Sequence, residues 1–297
     1  MGFFVEVLIA GLLSGVMYSL VALGFVLIYK ASGVFNFAQG SLVFFAALTF
    51  VGLMEHHLSF GLALVVTLLV MIAVGLAIER FVLRPLVNQP QISLFMATIG
   101  LSFFVEGLAQ LVWGASVRGL DLGIQDEPIN WVSDRTGINV SKFDLMAAGI
   151  AAALVVALAL FFNRTRIGRA LRAVADDHQA ALAVGIPLQQ IWAIVWAVAG
   201  FVALVTGLLW GARNGVQFAL TFVALKALPV LILGGFDSIP GAIVGGLIIG
   251  ATEKLAEVFV GPYVGGGIEG WFPYVFALMF LLVRPEGLFG EKIIRRI

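Results

Sequence analysis

The chain contains no cysteine. Disulfides, thiolate metal sites and cysteine nucleophiles are therefore excluded. Histidine is scarce: His56, His57 and His178 are the whole set. They assemble no recognisable metal motif, and His56 and His57 read as loop residues at a membrane surface. Charge is thin as well. Only 11% of the 297 residues are Asp, Glu, Lys or Arg, against roughly 25% in soluble domains. The formal net charge is zero, which removes the electrostatic case for nucleic acid. No glycine-rich stretch carries the lysine of a phosphate loop, so a nucleotide-binding motif is absent. No basic leader precedes the first apolar run, so MGFFVEVLIAGLLSGVMYSLVALGFVLIY is expected to be a retained span, not a cleaved signal. Glu6 stands where an acylation pattern wants Ser or Thr.

What the chain has in abundance is apolar surface. It is 61% hydrophobic, with a mean hydropathy of +1.09. One globular core cannot hide that much, and the economical solvent is a bilayer. A span needs roughly 20 apolar residues. The candidates are Val5–Tyr29, Phe37–Met54, Phe60–Ile78, Ile92–Trp113, Leu145–Phe162, Ile191–Gly211, Phe218–Leu233, Gly241–Val260 and Trp271–Val283. Phe218–Leu233 is short and holds Lys226 and Pro229, and Phe37–Met54 follows a polar turn. Broken or re-entrant helices are therefore candidates at 30–41 and 218–240. The expected fold is an all-α integral membrane protein, a polytopic helical bundle of eight or nine spans forming one domain over residues 1–297. Trp113, Trp131 and Trp271 near span ends read as interfacial anchors.

Basic residues in short loops set the expected orientation. If the spans alternate, Lys30, Arg80, Arg84, Arg164, Arg166, Arg169, Arg172, Arg284, Lys292, Arg295 and Arg296 share one side. Arg118, Arg135, Lys142 and Arg213 fall on the other. Eleven against four puts the N-terminus outside and the C-terminus in the cytoplasm. The acidic, Gly- and Asn-bearing loop 114–143 is then external, and the loop 163–190 cytoplasmic.

That second loop, with RALRAVADDHQAALAVGIPLQQ inside it, is a charged interruption in an oily chain. Leu171, Val174, Ala175, His178, Leu182 and Gly185 recur at helical spacing, leaving Arg172, Asp176, Asp177 and Gln179 on other faces. Gly185 followed by Pro187 is a stop. Such a helix can rest on lipid headgroups. Its acidic middle and its small residues, Ala180, Ala181, Ala183 and Gly185, equally suit docking to a cytoplasmic partner.

Other polar residues admit two readings each. Asn36, Gln39 and Ser41 in VFNFAQGS either line a solute pathway at a broken helix end or form a turn capped by Asn36. In LGGFDSIPGAIVGG, Gly241, Gly245 and Gly246 make a small-residue face for close helix packing. Glu106 and Lys226 are ionisable residues at membrane depth, expected to form an intramembrane ion pair or else to line a pathway or proton relay.

The order of four blocks then resembles a known family. GLLSGVMYSLVALGFVLIYKASGVFNFAQGSLVFFAA, RALRAVADDHQAALAVGIPLQQIWAIVWAVAG, FVALKALPVLILGGFDSIPGAIVGGLIIGATEKL and FALMFLLVRPEGLFGE are similar to the permease subunits of branched-chain amino-acid ABC importers, and the opening is closer to the LivH type than to the LivM type. The chain departs from that pattern at Gln39, where the family often has His, and at Gly235-Phe236-Asp237-Ser238. The resemblance implies a pore made with a second, LivM-type permease, two cytoplasmic ATPases that carry ATP and Mg, and an external solute-binding protein. This chain itself would hold no cofactor and be no enzyme. It would sit, surrounded by membrane lipid, in a bacterial inner membrane. Branched-chain amino acids or a related small polar solute would pass by alternating access. Coupling would run through 173–186, with Asp176, Asp177, Ala181, Gly185 and Ile186 at the contact. The alternative is a stand-alone secondary transporter or channel, with Glu106 and Lys226 as its coupling pair. A membrane-embedded enzyme fits least, since no nucleophile has a visible base.

Overall fold

A computed structural model describes residues 2–86, 89–124, 126–176 and 178–290. It is all-helical, with no strand among the described residues. The elements are α1 (Gly2–Ser32), α2 (Gln39–Glu55), α3 (Phe60–Ala77, prolonged by a π turn Ile78–Leu83 and a 3-10 turn Arg84–Leu86), α4 (Gln91–Trp113), α5 (Asn130–Thr136), α6 (Lys142–Arg164), α7 (Arg166–Asp176) and α8 (His178–Ala183). There follow α9 (Leu188–Asn214), a 3-10 turn Phe218–Phe222, α10 (Val223–Lys226), α11 (Leu228–Gly234), α12 (Ile239–Phe259), α13 (Gly261–Val264) and α14 (Phe272–Val283).

Five helices are long and apolar enough to cross a membrane: α1, α3 with its extension, α4, α6 and α9. Phe218–Gly234 and α12 pass the same test only together, bent by 113° at their junction, which makes six if they count as one span. The apolar α2 and α14 are shorter, at 17 and 12 residues. Length therefore supports five or six spans, fewer than the eight or nine apolar runs suggest. Hydropathy counts runs, whereas length and bending decide which runs reach across.

The chain divides into two compact units. One comprises residues 24–121 and 157–224. Here α2 is buried at every position from Gln39 to Gly52. Against it pack α4 and α9, and α9 also packs on α3. Small residues make the approach close. A Cβ added at Gly207 of α9 would lie 2.6 Å from the Val43 oxygen, and one at Gly75 of α3 would lie 2.8 Å from the Trp196 oxygen. The outer helices bury only one stripe. In α3 it is Ala63, Thr67, Met71 and Gly75; in α4 it is Leu94, Thr98, Leu101, Val105 and Ala109. Their other faces expose Leu62, Val65 and Leu69, and Phe103, Phe104 and Leu111. Large apolar side chains turned outward around a helical core are what a lipid-facing surface requires.

The other unit comprises residues 1–23, 122–156 and 225–297. Its centre is α12, which carries two glycine faces. Gly241 and Gly245 lie against α11, where a Cβ on Gly245 would stand 2.6 Å from the Val230 oxygen. Gly246 and Gly250 meet Gly15 and Gly11 of α1 backbone to backbone. Both partners thus present small residues four apart, the spacing that lets membrane helices touch. Ser238 caps α12 by accepting a hydrogen bond from the Gly241 amide at 3.0 Å, with Pro240 in the first turn. In the loop before α6, backbone pairing of Pro128 with Ser141 flanks α5.

Candidate functional site

Between α1 and α2 the chain leaves the helix for six residues, Gly33–Ala38. Within the turn Val34, Asn36 and Ala38 are buried, Phe35 and Phe37 are half-buried, and Gly33 is exposed; Asn36 is its one polar side chain. Asn36 Oδ1 accepts from the Ala38 amide at 3.0 Å, and Asn36 Nδ2 donates to Gln39 Oε1 at 3.4 Å. Asn36 therefore closes an Asx-type turn just ahead of α2, whose N-cap is Ala38 with no side-chain capping bond. Gln39 Nε2 has no partner among the described residues. It lies against α1, where a Cβ at Gly24 would fall 2.5 Å from it. An unpaired buried donor costs about 1–3 kcal/mol. Stacked and edge-on rings, Phe25, Phe35, Phe37 and Phe95, follow one another at centroid distances of 4.6 to 4.9 Å.

Ser41, one turn further along α2, belongs to a different contact. Its hydroxyl donates to Glu106 Oε1 at 2.8 Å and lies 2.6 Å from Ser102 Oγ. Ser102 also reaches Glu106, at 3.4 Å, from the preceding turn of α4. The three pathway candidates thus form two contacts, Asn36 with Gln39 and Ser41 with Glu106. Glu106 and Lys226, expected as a pair, each have partners inside their own compact unit. Glu106 is held by two serines, and Lys226 Nζ lies 3.2 Å from Glu253 Oε1. Tyr18 Oη donates to the same carboxylate oxygen at 3.0 Å, and the ammonium stands 5.9 Å from the Tyr18 ring centroid. Glu253 is buried, and a carboxylate taken out of water needs such donors.

The charged segment folds as α7 and α8. Thr165 starts α7 by accepting from the Gly168 amide at 3.2 Å. Gly168, Leu171 and Val174 form its buried stripe, and Arg172 donates to the Phe162 oxygen at 2.8 Å. α8 ends in a Schellman motif. The Ile186 amide donates to the Ala181 oxygen at 2.9 Å and the Gly185 amide to the Leu182 oxygen at 3.0 Å. Gly185 takes φ +84°, the left-handed conformation this motif needs. Both α7 and α8 pack on α9. The residues expected at a partner contact divide. Asp176 and Gly185 are exposed, Ile186 is half-buried, and Asp177 lies outside the described residues. Ala181 is a correction: it is 2% exposed, because its side of α8 faces the protein. What the end of α8 and its capping turn present outward is Leu182 and Val184, 53% and 77% exposed.

Sequence reasoning missed Tyr18 and Glu253. Glu253 lies within the apolar run Gly241–Val260, but Lys254 and Glu257 beside it give it the look of a charged span end. The same reasoning missed Gly11, Gly15 and Gly250, which repeat the small-xxx-small spacing, and the buried Glu79, bound at 3.2 Å by Arg84 through two nitrogens. No group of three or more His, Asp or Glu able to hold a metal ion occurs among the described residues.

Comparison with known proteins gives these features a context. The chain is 27% identical to the high-affinity branched-chain amino acid transport system permease protein LivH of Salmonella typhimurium, over 99% of this chain and 98% of that protein. It is 28% identical to BraD of Pseudomonas aeruginosa, named as a permease of the same kind of system, with the same coverage. A fructose import permease, FruF of Bifidobacterium longum, is 25% identical over 80% of this chain and 66% of that protein. Among solved structures, PsaBC from Streptococcus pneumoniae in complex with Fab aligns over 92% of this chain and 89% of that one, with a TM-score of 0.50 and 17% identity, a likeness of fold. Residues 7–284 match the family described as branched-chain amino acid transport system, permease component, and the chain belongs to that family.

Proposed function

We propose that this chain is a pore-forming permease subunit of an ATP-driven importer, carrying branched-chain amino acids or a related small polar solute into the cytoplasm by alternating access. A second, LivM-type permease, two cytoplasmic ATPases bearing ATP and Mg, and an external solute-binding protein complete the assembly. The membrane is the bacterial inner membrane, with the N-terminus outside, the C-terminus inside and therefore an odd number of crossings, nine when the short α2 and α14 and both arms of the bent pair are counted. The observation that carries the reading is the tip of α8. Leu182 and Val184 project from a helix pair anchored on α9 and closed by a rigid cap, in a loop outside the long spans. Two adjacent, outward aliphatic side chains on a braced helix suit a groove on another protein, and pressure on that tip reaches α9 directly. ATP-driven motion would enter the membrane by this route.

Leu182→Asp and Val184→Asp test it. Both side chains are exposed, so insertion and folding should persist. A buried apolar contact at an interface centre is worth about 2 kcal/mol or more, roughly a 30-fold loss of affinity. Membrane abundance should be unchanged while ATPase copurification in mild detergent and solute uptake fall. Normal copurification and normal uptake in both variants would leave α7–α8 as a headgroup-bound helix instead. Ala181 and Gly185 are unsuitable for this test, since one is buried and the other has positive φ.

A further inference from the structure

We infer that Lys226 is the residue that meets the carboxylate of the transported solute, with Glu253 and Tyr18 as positioning residues that aim its ammonium. The inference rests on the permease reading and narrows its solute to carboxylate-bearing molecules. Two separate features place Lys226 on a face that lipid does not touch. The first is the side chain. Lys226 is 31% exposed while its partner Glu253 is 1% exposed, and an ammonium within a span faces water or protein, not acyl chains. The second is the backbone. α10 ends at Lys226 and α11 begins at Leu228, within the bent pair that passes as one span. Interrupted backbone at membrane depth is tolerated only where it lines a cavity or is covered by protein. Ala227 keeps helical dihedrals, so the interruption is the amide that Pro229 lacks and not an unwound segment.

The pair is lopsided in a way that plain charge neutralisation does not need. Glu253 is closed in, its Oε1 accepting hydrogen bonds from both Tyr18 and Lys226. Lysine carries three protons, and the recorded hydrogen bond to Glu253 uses one. A second carboxylate can therefore be accepted without breaking the first contact. Nearby acids of α12 and its following loop are engaged: Glu257 accepts from the Gly267 and Glu269 amides, and Glu269 binds Lys254 at 2.9 Å. Lys226 and Lys254 are each paired with one carboxylate, and Lys226 is the one whose partner is fully buried and whose ammonium also stands on the face of Tyr18. A neutral sugar gains no ion pair there, whereas an amino acid does. Relatives of this chain include permeases named for each, so the residue bears on which class this chain serves.

The experiment uses the chain with its copurifying subunits in proteoliposomes, and the variants Lys226→Arg, Lys226→Met and the double Lys226→Met/Glu253→Gln. Replacing both members of a buried pair by neutral groups is often harmless to stability, whereas removing one strands a charge. The double variant should therefore match the parent in abundance, subunit copurification and unfolding midpoint. Its L-leucine uptake should fall about 10- to 150-fold, the span expected for a lost hydrogen bond to a charged group. Lys226→Arg should keep leucine uptake. A double variant that folds and transports at the parental rate overturns the inference and makes the cluster structural. Should the double variant fail to fold, the parent decides. Its unfolding midpoint should rise more with 4-methylpentanoate, which has only the carboxylate, than with 3-methylbutylamine, which has only the amine. An equal or larger rise with the amine overturns the inference. Failure of the parent to retain partner subunits strikes the permease reading, and with it this one.

Discussion

The crossing of α1 and α12 offers a test in which geometry gives the magnitude. A Cβ on Gly15 would sit 2.5 Å from the Gly246 oxygen and 3.0 Å from the Leu247 Cα. Ordinary carbon contacts lie at about 3.5–4.0 Å, so the helices must part by roughly 1 Å to admit one methyl group. Overpacking of this kind costs about 1–3 kcal/mol. Alanine also favours the helix over glycine by about 0.8–1 kcal/mol, which partly offsets the clash. The comparison must therefore be with glycines that have room. Gly107 of α4 and Gly149 of α6 are helical and have nothing within 4 Å of an added Cβ. Gly107→Ala and Gly149→Ala should be neutral or stabilising, and Gly15→Ala should fall below them by about 1–3 kcal/mol, or roughly 2–4 °C per kcal/mol in a chain of a few hundred residues. Gly15→Val, with two further methyl groups, should fail to accumulate. The assay is the unfolding midpoint in mild detergent, read by circular dichroism. If Gly15→Ala unfolds with Gly107→Ala, the helices are not in backbone contact and the packing argument fails.

Two further outcomes follow from particular contacts. Ser238→Ala should lower the midpoint by about 1 kcal/mol through loss of the α12 cap, with Ser238→Thr retaining it; equal midpoints for Ala and Thr would remove the cap from the account. Because the chain lacks cysteine, Asp134→Cys and Val184→Cys can each be labelled alone with an impermeant thiol reagent, and reaction from opposite faces of sealed vesicles is expected. Reaction from the same face would overturn the proposed topology.

What was legible in the sequence was mostly what local chemistry dictates. Gly185 with Pro187 reads as a helix stop because a left-handed cap and a proline are local signals, and the Schellman bonds lie within six residues. The apolar runs give the helices for the same reason. The faces of those helices were not legible from hydropathy. α3 is apolar all round, and only its small or adaptable members, Ala63, Thr67, Met71 and Gly75, turn inward. In a bilayer both sides of a helix are oily, so the amphipathic signal that marks a core in water is missing. Tertiary partners were hidden too. Lys226 is 27 residues from Glu253, and Glu253 sits near Lys254 and Glu257, so it reads as part of a charged span end. Ala181 shows the converse failure. Ala180, Ala181 and Ala183 fall on different sides of α8, and composition alone does not say which of them rests on the protein.

The burial of α2 has a consequence for how the bilayer acts on the protein. At 17 residues and about 1.5 Å per residue, it is some 25 Å long, short of a hydrocarbon core of about 30 Å. An ordinary span of that length would force the bilayer to thin or its flanking side chains to stretch toward the interface. Every residue of α2 from Gln39 to Gly52 is covered by protein, so lipid does not reach that length and the mismatch is confined to the last turn, where Leu53 and Met54 are half-buried and Glu55 exposed. Membrane thickness then presses on α3 and α4, which carry exposed apolar faces, while the helix next to the Asn36 turn keeps its length and position whatever the lipid. Changing acyl-chain length should accordingly tilt the periphery and leave the centre undisturbed.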